Sequence, residues 1–365
     1  MDAPVTATSE EEIAQDFLSF FTNFQTIFGI SNHKIYVTGE SYAGRYVPYI
    51  ADAMLQRNDT VHFNVSGILV YDPSIGQGSY QQEAAVIVPY VFNYANFFNF
   101  NETFMAQLAD AHYSCGYAEY LAKYLRFPPG PPQPAIAADA TNSSTCNLWQ
   151  SVYHEAYRVN PCFNVYEINL QCPILSDPLG FPSDLVYLYP GFGSTYYFDR
   201  ADVKAAMHAP ANASWILCTG LAFNSTNSSF AFGDSSLDPI QSVLPRVIDS
   251  TQRVLVGGGD YDMELISDGI LLAIQNMTWG GTAGFQTRPS KQIIIDLPDL
   301  QYADVFASSG FDGWDGPGQG VMGTQHFERG LMWAQTKQSG HMQPQFQPRS
   351  SYRHLQWLLG KIDEL

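Results

Sequence analysis

Apolar residues recur at helical spacing near the start of the chain and give way to short apolar runs further on. Residues 9–28 repeat every three or four positions and begin with three glutamates, which predicts an amphipathic helix whose dipole these carboxylates favour. Residues 34–38 are rich in β-forming side chains, residues 46–56 return to helical spacing, and residues 65–71 predict a buried strand. Strand, tight turn, helix and strand form a βαβ unit, which predicts a parallel sheet.

The middle of the chain has a different amino-acid composition. Residues 88–193 hold four of the five cysteines, many tyrosines and the proline-rich stretch 127–134. We expect this region to be a cap, inserted into one domain over residues 1–365 and pinned by disulfides. Sheet-like patterns return at residues 253–257 and near residues 330–338, and a last helix is predicted over about residues 351–360.

Composition bounds the class of protein. The 365 residues are 45% hydrophobic and 14% charged, which allows a large core and argues against disorder. Lys plus Arg number 17 against 35 Asp plus Glu, so the net charge is -18 at pH 7. Such a surface repels phosphate backbones and anionic lipid, so we expect no nucleic acid partner and no membrane partner. No run reaches the roughly 18 apolar residues that a membrane span requires.

Two features indicate an oxidising compartment. Asn-x-Ser/Thr glycosylation acceptors occur at Asn58, Asn64, Asn101, Asn142, Asn212, Asn224, Asn227 and Asn276. The cysteines show neither the C-x-x-C spacing nor the His-Cys clustering of zinc sites, so disulfides are favoured over metal binding. The alternative is that the acceptors are unused and the thiols free. The first 16 residues are acidic and polar, unlike a signal peptide. We expect either that a signal has been removed or that the chain begins after it.

Residues 39–44 read G-E-S-Y-A-G, where the first predicted strand meets its helix. The G-x-S-x-G pattern in this context is typical of a nucleophile turn, on which the serine has a strained backbone and an exposed hydroxyl. We predict Ser41 as the nucleophile, and the Tyr42 amide at the helix N-terminus as a donor to an oxyanion. The alternative is an ordinary strand-to-helix turn.

A nucleophilic serine needs a base, and the base needs an orienting carboxylate. In α/β-hydrolases they follow in the order Ser, Asp, His, on loops after later strands. Residues 259–262 read G-D-Y-D after one late strand, and His341 lies in a glycine-containing loop after the next. Spacing alone does not decide between Asp260 and Asp262.

Four segments resemble the signatures of serine carboxypeptidases, the carboxypeptidase Y-like peptidase family S10. They are G-E-S-Y-A-G-R-Y-V-P at residues 39–48, the segment 197–208, G-D-Y-D at 259–262 and G-H-M-Q-P at 340–344. In this order they extend over nearly the whole chain, which is therefore identified as a member, with the character of a secreted fungal protein.

The resemblance implies an α/β-hydrolase fold with a mostly parallel central sheet, and a catalytic triad of Ser41, Asp262 and His341. It assigns Glu40 to the substrate's terminal carboxylate and Met342 to the wall of the substrate site. Two carboxylates in contact must share a proton, so activity should be favoured at acidic pH. The alternatives are a solvated helix-start carboxylate for Glu40 and a core position for Met342. The family requires no metal and no organic cofactor.

One family segment is not found in this sequence. Relatives carry an upstream W-x-x-G-G-P-G-C-S-S stretch that supplies a second oxyanion amide, a cysteine and strands of the sheet. We therefore expect a chain that is incomplete at its N-terminus, an exposed sheet edge and an unpaired Cys218. The loss of one oxyanion donor typically costs about 10²- to 10³-fold in kcat. Of three pairings open to the other cysteines, we predict the nested one, Cys115 with Cys172 and Cys146 with Cys162.

The predicted function is that of a serine-type carboxypeptidase, which removes C-terminal residues from peptides or proteins through an acyl-enzyme. A location outside the cell or in the vacuole is implied by the same resemblance. Two alternatives stay open: an acyltransferase on the same scaffold, and an inactive remnant that lacks the upstream segment.

Overall fold

A six-stranded sheet forms the centre of the computed structural model, which describes residues 6–134, 145–172, 197–215, 223–224, 233–296, 308 and 318–365. Its strands lie in the spatial order β1-β2-β3-β8-β7-β6. The first four are parallel, and β7 and β6 are antiparallel to their neighbours, which confirms the mostly parallel sheet. The strands, with the separate β4-β5 hairpin, are β1 Ile35–Glu40, β2 Val65–Tyr71, β3 Val254–Gly259, β4 Thr278–Trp279, β5 Thr282–Ala283, β6 Lys291–Ile295, β7 Gly320–Glu328 and β8 Leu331–Thr336.

Helices surround this sheet. Those of the described chain are α1 Glu10–Phe28, α2 Ala43–Gln56, α3 Ile87–Asn93, α4 Ala95–Phe98, α5 Glu102–Ser114, α6 Tyr117–Tyr124, α7 Leu148–Val159, α8 Ala201–Ala206, α9 Val243–Thr251, α10 Ser267–Gln275, α11 Gln343–Phe346 and α12 Pro348–Leu358. A π-helix spans Gly78–Ala84, and short 3₁₀ turns span Tyr197–Asp199 and Pro239–Gln241.

Capping residues in the local sequence define both ends of the first helix. Ser9 caps α1 by accepting a hydrogen bond from the amide of Glu12, and Gly29 ends it in the left-handed conformation with φ 62°. The helix predicted over residues 9–28 is confirmed. So are β2, with the predicted bounds, and β1, β3 and β8, with ends that differ by one or two residues from the predicted ones.

The core lies on both faces of the sheet. One face packs against α1, α2, α9 and α10, with Ile68, Val70 and Val256 fully buried. The other face packs against α12 through Trp357 and Leu358. Because the central parallel strands are covered on both sides, they appear in the sequence as continuous apolar runs.

The antiparallel strands β6 and β7 were not predicted from sequence. In β6 burial alternates, with Ile293 and Ile295 buried and Ile294 exposed, and β7 contains Gly320 and Gly323. A half-exposed, glycine-containing strand carries a weaker apolar signal than a central one. At the opposite edge, β1 pairs only with β2 in the described part of the chain, which agrees with the expected exposed edge.

The helices α3 to α7 lie between β2 and β3 in the chain and build a second apolar cluster. This cluster also includes Met263, Ile266 and Leu272, which follow β3, so these helices pack over the carboxyl end of the sheet. The boundaries of the cap at residues 88 and 193 stay a prediction, and residues 173–193 lie outside the described chain.

The nested disulfide pairing is wrong. Cys115 pairs with Cys146, with a Cα–Cα distance of 5.8 Å, and Cys162 pairs with Cys172 at 5.2 Å. The reason is α7, which lies between Cys146 and Cys162 and is about 18 Å long at 1.5 Å per residue, whereas a disulfide requires Cα atoms within about 7 Å. Cys146 and Cys162, at opposite ends of α7, therefore cannot pair with each other. Cys218 lies outside the described residues.

The glycosylation acceptors occupy accessible positions where they are described. Five are exposed and Asn64 is partly buried; the exposed ones are Asn58, Asn101, Asn212, Asn224 and Asn276. Asn142 and Asn227 lie outside the described residues. None of the helices in the described ranges combines the length and the apolar character needed to cross a bilayer.

Candidate active site

Ser41 lies on the turn between β1 and α2 with φ 63°, the left-handed region that non-glycine residues rarely adopt. Its amide donates to the carbonyl of Tyr71 at the end of β2 (2.9 Å), and its own carbonyl accepts from the amide of Ser74 (3.0 Å). Bonds to the end of β2 and to the segment that follows it thus hold the strained conformation. This geometry presents the serine at the carboxyl end of the parallel strands.

The two glycines of the motif are required by close contacts. A Cβ atom on Gly39 would lie 2.5 Å from the Cβ of Ala43, and one on Gly44 would lie 2.6 Å from the Cβ of Pro73. Both distances are well inside van der Waals contact. The turn therefore accepts no side chain at either position without moving strand or helix.

Asp262 and His341 form a buried hydrogen-bonded pair. The Nδ1 atom of His341 lies 2.7 Å from Oδ2 of Asp262, and the two side chains are 4% and 0% exposed. The other oxygen, Oδ1, accepts from the amides of Glu264 (2.8 Å) and Leu265 (3.2 Å), which fixes the carboxylate. Such a carboxylate holds the proton on Nδ1 and leaves Nε2 as the basic nitrogen.

The structure distinguishes the two aspartates of the G-D-Y-D turn. Asp260 accepts a hydrogen bond from Nε2 of Gln335 through Oδ1 (2.8 Å), and so bonds to β8 rather than to the imidazole. Asp262 is the carboxylate that contacts His341.

Ser41, Asp262 and His341 stand on loops after β1, β3 and β8, which are parallel strands of one sheet. No hydrogen bond joins the Ser41 hydroxyl to His341 within the described residues.

Glu40 precedes Ser41 and is partly buried. Burial raises its pKa to about 7; the positive imidazole of His341 opposes this shift, and the nearby charge of Asp262 adds to it. A carboxyl with this pKa holds its proton at acidic pH and can then act as a hydrogen-bond donor.

The imidazole of His341 is buried, which by itself would lower its pKa. The carboxylates of Asp262, Asp72 and Glu40 outweigh the burial, and the net effect raises the pKa of His341. The same charges stabilise an imidazolium that forms during proton transfer. When Glu40 takes up a proton at acidic pH, one of these charges disappears and the neutral base becomes easier to form.

Tyr42, the predicted oxyanion donor, is the residue before α2. Its phenol donates to Oδ2 of Asp234 (3.0 Å), and the same oxygen accepts from Nε of Arg45 (2.8 Å). Burial and the charge of Asp234 raise the pKa of the Tyr42 phenol, so it stays a neutral donor. The hydrogen bond to Asp234 therefore fixes the Tyr42 side chain, and the Tyr42 backbone amide lies at the start of α2.

A loop of the cap contacts His341 and the residue that follows Asp262, which the sequence did not indicate. The disulfide Cys162–Cys172 closes this loop. The carbonyl of Tyr166 accepts from the amide of His341 (2.8 Å), and the Tyr166 ring lies 5.0 Å from the imidazole. The carbonyl of Val165 accepts from the amide of Met263 (2.8 Å). Backbone bonds of this type carry no residue signature, so only the structure reveals the loop's role.

Met342 directly follows His341, precedes α11 and is partly exposed. Its place beside the imidazole is compatible with the predicted contact to substrate, and that role stays a prediction. Within the described ranges, no three His, Cys, Asp or Glu side chains are grouped as they would be to bind a metal ion.

The sheet, the serine turn and the Asp–His pair on loops after successive parallel strands define a protein of the α/β-hydrolase fold. Comparison with known proteins then identifies the family. The family model "Peptidase_S10: Serine carboxypeptidase" matches residues 2–361. The chain belongs to the serine carboxypeptidase family.

Its relatives include fungal carboxypeptidases. The chain is 56% identical to "Serine-type carboxypeptidase F" of Aspergillus niger over 99% of its own length and 67% of that protein. It is 38% identical to a "Probable serine carboxypeptidase" of Arthroderma benhamiae, over 98% of this chain and 63% of the relative. The chain thus spans about two thirds of the length of these relatives.

A solved structure supports the fold. The prohormone-processing carboxypeptidase of Saccharomyces cerevisiae matches with a TM-score of 0.64 and 20% identity, over 98% of this chain and 68% of that one. At this identity the likeness shows the fold.

Proposed function

We propose that this chain is a serine-type carboxypeptidase that releases C-terminal amino acids from peptides. The observation that carries the proposal is the position of Glu40. Its carboxyl lies beside Ser41 in the chain, within electrostatic reach of Asp262 and His341, and its pKa is raised to about 7. A protonated carboxyl at that place can donate a hydrogen bond to a substrate carboxylate, which selects the last peptide bond of a chain.

The proposed reaction proceeds in two halves. Nε2 of His341 takes the proton of the Ser41 hydroxyl, and Oγ attacks the carbonyl carbon of the last peptide bond. The amide of Tyr42 donates to the resulting oxyanion. The imidazolium gives its proton to the departing amine, the C–N bond breaks, and the C-terminal amino acid leaves. Water then attacks the acyl-enzyme by the same route, which releases the shortened peptide and restores Ser41.

The test uses matched substrates that differ only at the terminus. N-blocked dipeptides with a free carboxylate are compared at pH 5 with the same dipeptides carrying a C-terminal amide, and the released product is measured. We expect the free carboxylate to be strongly preferred, because the C-terminal amide lacks the negatively charged oxygen that accepts the hydrogen bond from protonated Glu40. Transfer of an acyl group from a glucose ester to an alcohol, without peptide hydrolysis, would indicate an acyltransferase instead. Absence of both reactions would indicate an inactive protein.

The pH profile tests the role of Glu40. The wild-type kcat/KM for free-carboxylate substrates is expected to fall above about pH 7 by about tenfold per pH unit, since ionised Glu40 repels the substrate carboxylate. Glu40→Gln keeps a hydrogen-bond donor that does not ionise, so its profile should lose most of this fall.

Glu83→Gln is the matched control for that measurement. Glu83 is a carboxyl of the π-helix whose pKa burial also raises to about 7. The substitution makes the same change of charge and should leave the alkaline fall intact. An unchanged profile in Glu40→Gln, or equal flattening in both variants, would contradict the assignment.

We infer further that the protein folds in the secretory pathway and acts outside the cell or in a vacuole. Two disulfides support an oxidising compartment, and the exposed glycosylation acceptors are compatible with it. The predicted partners are the C-termini of peptides and proteins.

A further inference from the structure

Asp72 is a second buried carboxylate at the same end of the sheet. It is the first residue after β2, has φ 41° and is 0% exposed. Its two oxygens bond to two different loops. Oδ1 accepts from the amide of Gly259 (2.7 Å), and Oδ2 accepts from Nε2 of Gln343 (2.7 Å). A buried carboxyl group whose two oxygens each accept an N–H group is a directional connector between their loops.

The two partners of Asp72 belong to the loops that carry the acid and the base. Gly259 ends β3 three residues before Asp262, and Gln343 follows His341 by two residues. Gln343 is itself 0% exposed, and its Oε1 accepts from the hydroxyl of Thr336 (2.9 Å) at the end of β8. Both the acid loop and the base loop are therefore tied to one carboxylate.

The same strand end also supports the serine. Tyr71, the neighbour of Asp72, accepts from the Ser41 amide through its carbonyl, and the amide of Ser74 donates to the Ser41 carbonyl. Asp72 thus stands in the segment where the three loops of the site meet.

We propose that Asp72 is a positioning residue for the triad: through Gly259 and Gln343 its carboxyl sets the relative placement of Asp262 and His341. This inference rests on the proposed function for the reaction that it serves. Asp72 is connected to the loop of His341 by its hydrogen bond with the Gln343 side chain, which spans the distance between the end of β2 and that loop.

The charges around Asp72 fit this role. Burial, together with the charge of Asp262, raises the pKa of Asp72 well above the usual range, and the positive imidazole of His341 opposes the shift. The Tyr71 phenol is a further titratable group that interacts with Asp72. A carboxyl this costly to bury persists only where its hydrogen bonds are made, because an unpaired one would destabilise the fold.

The decisive variant is Gln343→Met, which keeps the length and volume of the side chain and removes the bond to Asp72. A displacement of about 1 Å at a catalytic group can cost about 10²-fold in rate, so we expect kcat to fall by about tenfold with KM nearly unchanged. Labelling of Ser41 by a fluorophosphonate should slow by a similar factor, because that reaction needs the triad and no peptide. If this variant does not fold, Thr336→Val, which removes only the hydroxyl that orients Gln343, should lower both rates about threefold.

Gln275→Met is the matched control. Gln275 is also buried, at 4% exposure, and its amide bonds to the backbone of Phe285. It ends α10, about 12 Å along the helix from Ser267, whose hydroxyl contacts Gly259 at the active-site end. The control should lose thermal stability and retain kcat and the labelling rate. A purely structural role for Gln343 would make both variants behave alike.

Asp72→Asn serves as the conservative rescue. Its Oδ1 can still accept from Gly259, and a flip of the Gln343 amide lets Oε1 accept from the new amide while Nε2 donates to the Thr336 hydroxyl. The connection survives, so Asp72→Asn should retain at least about three times the labelling rate of Gln343→Met.

Wild-type kcat and labelling rate in Gln343→Met, or equal damage in Asp72→Asn, would overturn the inference. Failure of the proposed function looks different. In that case the wild type is labelled at Ser41 and releases no C-terminal amino acid, while the labelling rates of the variants still decide whether Asp72 positions the triad.

Discussion

Replacing Ser41 by alanine is expected to lower kcat for release of C-terminal amino acids by about 10⁶-fold, the scale seen when a triad serine is removed. Without Oγ no acyl-enzyme forms, and the residual rate comes from substrate binding and oxyanion stabilisation alone. The Cβ atom is kept, so the strained turn at φ 63° should survive and the melting temperature should change little. Steady-state hydrolysis and thermal unfolding, measured on the same preparation, check both statements.

Ser339→Ala is the control for that experiment. Ser339 is also buried beside the site, but its hydroxyl donates to the carbonyl of Gly340 (3.1 Å) and has no predicted chemical role. Its activity should stay within a few-fold of wild type. Substantial hydrolysis by Ser41→Ala would show that another group is the nucleophile.

Replacing Asp262 by asparagine is expected to lower kcat by about 10⁴-fold, the magnitude known for such a change in a serine protease triad. The structure gives the reason. The amides of Glu264 and Leu265 both donate to Oδ1, so the asparagine oxygen must take that place. Its NH₂ group then faces Nδ1 of His341 and forces the proton to Nε2, the nitrogen that should accept from Ser41.

Asp260→Asn is the matched control. It lies two residues away in the same turn, and its oxygen accepts from Gln335 rather than from the imidazole. Its kcat should remain within about tenfold of wild type. Comparable losses in both variants would mean that the turn as a whole, rather than the Asp262–His341 pair, is responsible. An Asp262→Asn enzyme of near-normal kcat would remove Asp262 from the triad.

Much of the candidate site could be predicted because its residues lie in short sequence motifs that follow one another in a characteristic order along the chain. The nucleophile turn is encoded by short-range steric demands: Gly39 faces the Cβ of Ala43, only four residues away. Local sequence could not decide between Asp260 and Asp262, and only the resemblance to a family favoured Asp262. In the structure the hydrogen bond to His341, 79 positions along the chain, identifies the contacting carboxylate.

Asp72 was not predicted, although the rule that singled out the G-D-Y-D turn, a loop directly after a buried strand, also applies to it. It follows a buried parallel strand at the carboxyl edge of the sheet, where chemistry-bearing residues collect. Its sequence neighbours gave no sign of a role, because its partner Gln343 lies 271 residues further on. The cap loop around Tyr166 was missed for a related reason, since it acts through backbone carbonyls that every residue possesses.

The sequence by itself determined the helix α1, the buried parallel strands and the order of the three loops, since apolar periodicity and turn chemistry are properties of neighbouring residues. Only the tertiary structure decided the disulfide partners, the antiparallel strands β6 and β7, and the hydrogen bonds that join Asp72 to the loops of Asp262 and His341. Those features depend on which distant segments come within a few ångströms of one another. The rigid length of α7 shows the difference: it placed Cys146 and Cys162 at opposite helix ends and so excluded a pairing that cysteine spacing left open.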